Sequence, residues 1–423
     1  MSEKTQNRYV ITREEISGKP CRIAALYDGK RRPVELWPEA AGQETLSGNI
    51  YIARVDSIQR NLNAAFVKIS PATTCYLSFA DVKHPVYTKK AAKKEELCVG
   101  DELLVQVIRD AQKTKAPAVT TNLSFAGTYA VLTTGNLKHG VSAKLTKTQR
   151  AHYMTLLEET ASYGVVIRTN AAAADDAAVL SELHSLKKRC DSLIAAAGHK
   201  RCFYLLSLTD PAYLKRLEDL RIDELEEVVT DDPEIFEQLC EKFHISPDQR
   251  MTFGSVPVPI HVVTTAEGVR LRYYDDPMLS LPALYGIKSA LSEALGARVW
   301  LKSGAYLVIE PTEALTVIDV NTGKNVAKKA AQENFLAVNK EAAEEIARQL
   351  RLRNISGIVI VDFINLENKE AEEELLSVFR AALKKDPVPA QLIGMTKLGL
   401  AEVTRKKTQK PLHEMLTGQA SPF

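Results

Sequence analysis

Asp319 and Asp362 carry the strongest chemical signal in the chain, because each closes an apolar run. In EALTVIDVNTGKN, Glu313 to Asn325, Asp319 follows LTVI and Asn321 comes two positions later; in GIVIVDFINL, Asp362 follows IVIV. Between them the sequence reads as a helix from about Val326 to Arg353, with Phe335, Val338, Ala342, Ile346 and Leu350 on one apolar stripe. A strand, a covering helix and a second strand make a crossover unit, whose strands run parallel and are usually neighbours. The two acids are therefore expected at equivalent carboxyl ends, one strand spacing or about 4.8 Å apart. Asn321 would lie on the same side as Asp319. Two carboxylates and an amide are all oxygen donors, which suit Mg²⁺ with several retained waters, or Mn²⁺ in its place, and not zinc. Each Asp taken alone also reads as a turn or helix cap; the matched ends favour the metal. A phosphate-binding loop at NTGKN fails, because Ile318 stands where that motif needs Gly and Asn325 where it needs Ser or Thr.

The elements that must position these acids occupy a long chain. Its 423 residues imply several domains, and 45% hydrophobic with 26% charged residues is ordinary globular composition. No apolar run approaches the ~20 residues of a membrane span, and MSEKTQNRYV has no apolar signal core, so a cytoplasmic protein is expected. Cys21, Cys75, Cys98, Cys190, Cys202 and Cys240 are scattered and read as reduced thiols. From Gly48 to about Thr121, NIYIARVDSI, AAFVKIS, CYLSFADV, GDELLVQVIRD and APAVTTNL are short strands, as in a small OB-type barrel. Strand and helix signals then mix to about Leu217, including an Ala-rich helical span from Ala171 to Ala197. Arg221 to Thr265 carries an acidic helix and the strand-like PIHVVTT. From Leu279 a helix around Leu284 to Leu295 leads into RVWLKSG, AYLVIEP and the strands bearing the acids.

Other residues suggest binding. In AAFVKI, Ala65, Val67 and Ile69 would point inward, leaving Phe66 and Lys68 outside together; in CYLSF, Leu77 and Phe79 would point in and Tyr76 out. An exposed aromatic beside a Lys is the makeup of a base-stacking platform, although a lone strand aromatic more commonly packs in a core. Arg168 and Thr169 end the strand GVVI with a planar donor fork and a hydroxyl, a grip suited to a terminal phosphate. Lys89, Lys90, Lys93, Lys94 and Arg405, Lys406, Lys407, Lys410 form basic clusters, within a net charge of only +2. Arg351 and Arg353 end the long helix, where cations complement its dipole. His184, Cys190, His199 and Cys202 have no common zinc spacing.

EPTEALTVIDVNTGK, NKEAAEEIARQLRLRNISGIVIVDFINL and GLAEVTRKKT together closely resemble the catalytic domain of the ribonuclease E/G family, and the likeness extends back through GNIYIARVDSIQRNLNAAFVKI and KTKAPAVTTNLSFAGTYAVL to VVIRT. The resemblance implies a multidomain fold of α/β and β parts. Its expected divisions are an RNase H-like subdomain in two segments, 1–44 and 221–278, an inserted OB-fold RNA-binding barrel at 45–122, a 5′ sensor at 123–220, a DNase I-like catalytic α/β domain at 279–412 and a tail at 413–423. It implies Mg²⁺ on Asp319 and Asp362, with Asn321 assisting. It further implies single-stranded RNA against Phe66, Lys68, Tyr76 and Lys115, and a 5′-monophosphate held by Arg168, Thr169 and the backbone near Val131. Two departures stand out: SPATTCYL lacks the family's glycines, and Ala143 replaces a supporting basic residue before KLT. Arg405, Lys406 and Lys407, following the catalytic core, are further expected RNA contacts. The family's C-P-x-C zinc link does not occur after RKKTQKPLHEML, so no zinc is expected and a homodimer would lack that bridge. The expected activity is a Mg²⁺-dependent single-strand endoribonuclease of RNA processing or decay, leaving 5′-phosphate and 3′-hydroxyl ends. A noncatalytic RNA-binding protein and a DNA nuclease are the alternatives; the intact acids count against the first and the resemblance against the second.

Overall fold

The computed structural model describes residues 6–16, 18–40, 45–111, 115–157, 162–243, 245, 262–322 and 331–417. The chain forms two compact units, Met1–Gly42 with Glu224–Phe423, and Gln43–Asp223. Among the described residues no helix is long and apolar enough to cross a membrane.

In the first unit, Asn7–Ile16, Lys19–Tyr27 and Pro33–Ala40 form an antiparallel meander. Leu225–Thr230 joins parallel to the first of these strands, with Tyr9 opposite Val228, and Arg270–Tyr273 and Val262–Thr264 continue the sheet. Val10, Ile23, Ala25 and Val229 pack against Leu281, Ile287 and Leu291, so residues remote in sequence share one core. The helix expected around Leu284 to Leu295 is two pieces, Leu281–Leu284 and Ile287–Leu295. Gly286 divides them at φ 62°, a left-handed turn that glycine adopts without Cβ strain.

A second six-stranded sheet in this unit carries the acids. Its order is Arg298–Trp300, Tyr306–Pro311, Leu315–Asn321, Gly357–Asp362, Leu400–Arg405, Ala390–Met395. Only the pairing of Leu315–Asn321 with Gly357–Asp362 is parallel, because a helix, Ala331–Leu352, intervenes between them. Residues 326–330 of the expected helix lie outside the described residues. Ala342, Ile346 and Leu350 of the apolar stripe are fully buried, and Val338 packs beside them. With Leu375 and Phe379 of Lys369–Leu383 they cover one sheet face, made of Leu307, Ile309, Ile318, Val359, Val361 and Val403. Strand alternation leaves the opposite face to Asp319 and Asp362.

The second unit holds a closed five-strand barrel of OB-like form. Ile50–Gln59, Ala64–Lys68, Thr74–Ser78, Ala118–Thr120 and Glu102–Arg109 pair in turn, and the first closes on the last. The inner residues Ala53, Val55, Ala65, Val67, Ile69, Cys75, Leu77, Leu103, Val105, Val107 and Val119 fill it. Asp101, fully buried, accepts hydrogen bonds from the amides of Ala91 and Cys98 and from Lys90 Nζ, each at 2.8 Å. A four-stranded sheet of Ser124–Ala126, Ala130–Thr133, Gly164–Ile167 and Gly140–Val141 follows. The Ala-rich span beside it begins as a 3-10 turn, Thr169–Ala173. Its helix is Asp176–Ala197, because the Asp175 side chain accepts from Ala178 N and caps it there.

Candidate active site

Asp319 and Asp362 are direct partners in the parallel register, with Leu315 opposite Ile358 at the other end of the pairing. Thr316, Ile318 and Val320 are buried on the helix-covered side, which places both carboxylates on the open side, where both are exposed. Asn321 Nδ2 donates to Asp319 Oδ2 at 2.7 Å and holds that carboxylate's orientation. The stretch after Asp362 is tied from the covering helix: buried Asn339 donates Nδ2 to Ile364 O at 2.7 Å and accepts from Ile364 N at 3.0 Å. Both acids are thus set by more than their strands.

Among the described residues neither acid has a Lys or Arg partner. Two carboxylates one strand spacing apart, about 4.8 Å, repel each other unless a cation lies between them. The donors are oxygen and solvent reaches them; among the described residues no group of three or more His, Cys, Asp and Glu side chains stands where it could hold a metal, so any ion here would rest on the two carboxylates and water. Few protein ligands and room for water fit Mg²⁺. Gly323, Lys324 and Asn325 lie outside the described residues.

Beside the acids the sheet presents residues whose sequence marks them only as strand. Tyr306 is the register partner of Asn321, and Trp300 the partner of Tyr306; Arg298 is opposite Val308, which is opposite Asp319. The signal was there in alternation: Val299, Leu301, Leu307 and Ile309 are apolar and buried, so Arg298, Trp300 and Tyr306 must face the other way.

In the barrel, Phe66 and Tyr76 are directly opposite in register and half-buried, their rings 6.1 Å apart at 72°. Ala65, Val67, Ile69 and Leu77 point inward as parity requires. Phe79 does not, and is 36% exposed, because the strand ends at Ser78 and a 3-10 turn, Phe79–Asp81, begins. Lys68 pairs with Asp56 at 2.9 Å on the same outer face, and Lys115 is exposed.

Arg168 follows the strand Gly164–Ile167, with its guanidinium committed: Nη1 donates to Gly127 O at 2.8 Å and Nη2 to Asp219 Oδ1. The turn offering that carbonyl is held by Glu182, whose carboxylate accepts from the amides of Thr128, Tyr129 and Ala130. A side chain at Gly127 would meet the Glu182 carboxylate at 2.5 Å and would have to push it off these amides. Thr169 Oγ1 shares a hydrogen bond with Ser142 Oγ at 2.9 Å, and Ala143 is exposed. Val131 is half-buried opposite Val166.

Arg405 corrects an expectation. Its side chain is 3% exposed and forms an ion pair with equally buried Asp386 at 2.8 Å, while Nη1 donates to Asn354 Oδ1 and Ile355 O. Its guanidinium is turned inside the sheet and taken up by these partners, whereas Lys406 and Lys407 are exposed. Arg351 pairs with Glu35, and Arg353 donates to Gln349 and to the carbonyls of Gly296 and Glu293. Burial pulls the Arg353 pKa down to about 10.

The model of the Ribonuclease E/G family matches residues 124–408. The chain is 32% identical over 376 residues to ribonuclease E of Nostoc, covering 87% of this chain and 52% of that protein. It is 30% identical over 382 residues to a ribonuclease E/G-like protein of Pyropia yezoensis, covering 89% and 72%. To ribonuclease G of Escherichia coli it is 29% identical over 412 residues, covering 94% and 80%. The chain spans about half the length of the ribonuclease E proteins of Nostoc and Synechocystis.

Proposed function

The chain belongs to the ribonuclease E/G family, and from that premise we propose that it is an endoribonuclease of RNA processing or decay, cutting single-stranded RNA with Mg²⁺ held by Asp319 and Asp362. The observation that carries this reading is the acid pair, in register on an open sheet face with no cation among the described residues to balance it. Asp319 and Asp362 would hold the ion through their carboxylates, and Asn321, donating to Asp319 Oδ2, would keep that side chain in one orientation. Mg²⁺, when bound, supplies a polarised water and offsets charge developing on phosphorus and on the leaving 3′-oxygen. Asn339 fixes the backbone just past Asp362, limiting the drift of that carboxylate between turnovers. In-line attack of water with loss of the 3′-oxygen leaves a 5′-phosphate and a 3′-hydroxyl.

Around this centre the reading assigns the half-exposed rings of Phe66 and Tyr76 to stacked bases, with Lys68, Lys115 and Lys406 on phosphates, and Arg168, Thr169 and the backbone at Val131 to a 5′-phosphate. The sheet shared by Asn7–Ile16 and Leu225–Thr230 is the RNase H-like part, and the sheet bearing the acids the DNase I-like part. A short 5′-labelled single-stranded RNA incubated with Mg²⁺ tests the core of the proposal. Asp319→Asn and Asp362→Asn should each abolish cleavage while RNA affinity, measured by filter binding, stays nearly unchanged; chelation by EDTA should also stop the reaction. Wild-type turnover in either variant would remove the acid pair from the chemistry.

A further inference from the structure

We propose that Arg298, Trp300 and Tyr306 form a nucleobase-stacking subsite beside the acid pair, holding a base of the RNA strand close to the bond that is cut. This rests on the reading of Asp319 and Asp362 as the cleavage centre. The three side chains share the open face of the sheet, and two cross-strand rows connect them to the acids: Trp300, Tyr306, Asn321 in one, Arg298, Val308, Asp319 in the other. Tyr306 is one strand spacing from Asn321, and Trp300 two, about 10 Å.

The geometry is that of a prepared aromatic surface. Trp300 is 64% exposed, and its ring lies 5.1 Å from that of Tyr306 at 55°. The Arg298 guanidinium carbon sits 4.6 Å from the Tyr306 centroid and 5.9 Å from that of Trp300. Among the described residues Arg298 has no carboxylate partner, so its charge is available to a phosphate while its plane remains on the rings. The turn that joins the two strands is held rigid: Leu301 N donates to Ala305 O, and the amides of Lys302 and Ser303 donate to Glu341 on the covering helix. An indole left in water forgoes a large apolar burial, and an aromatic pair under a free Arg suits a ring that stacks and carries an anion. The face also exposes Val317, Ile358 and Ile393, which a protein partner could cover, but the aromatic and cationic part of it borders Asn321. Its occupant is therefore assigned as a base of single-stranded RNA.

The chain has two tryptophans, Trp37 and Trp300, so emission from an Asp319→Asn, Trp37→Phe protein reports Trp300 without cleavage. Titration with a ten-nucleotide single-stranded RNA should quench it saturably, and Trp300→Ala should weaken binding about tenfold, with Trp300→Phe restoring most of it. Difference spectra between Asp319→Asn proteins with and without Trp300→Phe give the same reading with Trp37 untouched. In cleavage assays, one abasic nucleotide moved along the substrate should slow the wild-type enzyme at a position near the cut, and Trp300→Ala should lose that sensitivity alone. Unchanged Trp300 emission at saturating RNA, or an unaltered abasic profile, would overturn the subsite. So would a Trp300→Ala protein that changes only in mass by light scattering, which would make the face a protein interface. If RNA quenches Trp300 but the wild type cuts no RNA, the cleavage reading falls and the stacking assignment stands.

Discussion

Arg405 shows how far a single residue's chemistry can mislead. In VTRKKT it heads a basic run, yet strand alternation aligns it with Ala401 and Val403, both fully buried, and its partner Asp386 comes from the turn before the neighbouring strand. The period-two signal was legible in LAEVTR; the partner was not, since nothing local ties Asp386 to Arg405. Removing one member of a buried pair leaves the other charge without compensation, a loss of ~3–5 kcal/mol. Arg405→Ala should therefore lower unfolding stability by that order in a denaturant titration, whereas exposed Lys406→Ala should leave stability unchanged and weaken RNA binding. An Arg405→Ala protein of wild-type stability with reduced RNA affinity would return Arg405 to the binding surface. Asp319 and Asp362 are the opposite case: their residue type and apolar prefixes foretold the matched strand ends, because a crossover helix leaves parallel neighbours little choice of register.

At the scale of elements, the barrel follows its sequence closely wherever a strand continues and departs where it stops. Parity placed Ala65, Val67 and Leu77 inside and Phe66 and Tyr76 outside; it misplaced Phe79, because Ser78 ends the strand and its hydroxyl accepts from Ala80 N to start a turn. Phe66→Ala and Tyr76→Ala should each weaken single-strand binding by ~1–3 kcal/mol with an unchanged melting temperature. A lowered melting temperature at equal affinity would make them packing residues. The barrel's own weak point is Asp101. Burial alone would push its carboxyl up, but the Lys90 ammonium and the amides of Ala91 and Cys98 outweigh burial and hold the pKa below the usual carboxylate value of ~3.9. A depressed carboxylate contributes stability above its unfolded value, and that contribution is lost as pH falls through the folded one. The barrel should accordingly loosen below about pH 4, read by hydrogen exchange of its strand amides, and Asp101→Asn should remove this acid step while costing ~1–3 kcal/mol at neutral pH. No sequence pattern marked Asp101, whose partners lie in the loop around Lys90 and Cys98.

For the whole molecule, the residues proposed for the two roles fall in different units: Arg168 belongs to Gln43–Asp223 and the acids to the other. If Arg168 grips a terminal phosphate, one way that grip speeds cleavage is by tethering the strand that the acids cut, a benefit that is an effective concentration and decays as the strand between lengthens. The structure adds a competitor, since Asp219 and the Gly127 carbonyl already occupy the guanidinium, and a phosphate must displace the carboxylate to use the full fork. Together with Ala143 in place of a basic side chain, this predicts a modest advantage for 5′-monophosphorylated over 5′-hydroxylated RNA. Arg168→Ala should erase the advantage, and Asp219→Ala should widen it, because Nη2 is then released, while Nη1 stays on the Gly127 carbonyl, and the local charge is more positive. Matched substrates differing only at the 5′ end, with the cut site moved progressively away from it, decide the matter through kcat/KM. An advantage that survives Arg168→Ala would take that residue out of the site. One that shrinks in Asp219→Ala would mean that Asp219 aims the fork at the phosphate and does not compete with it.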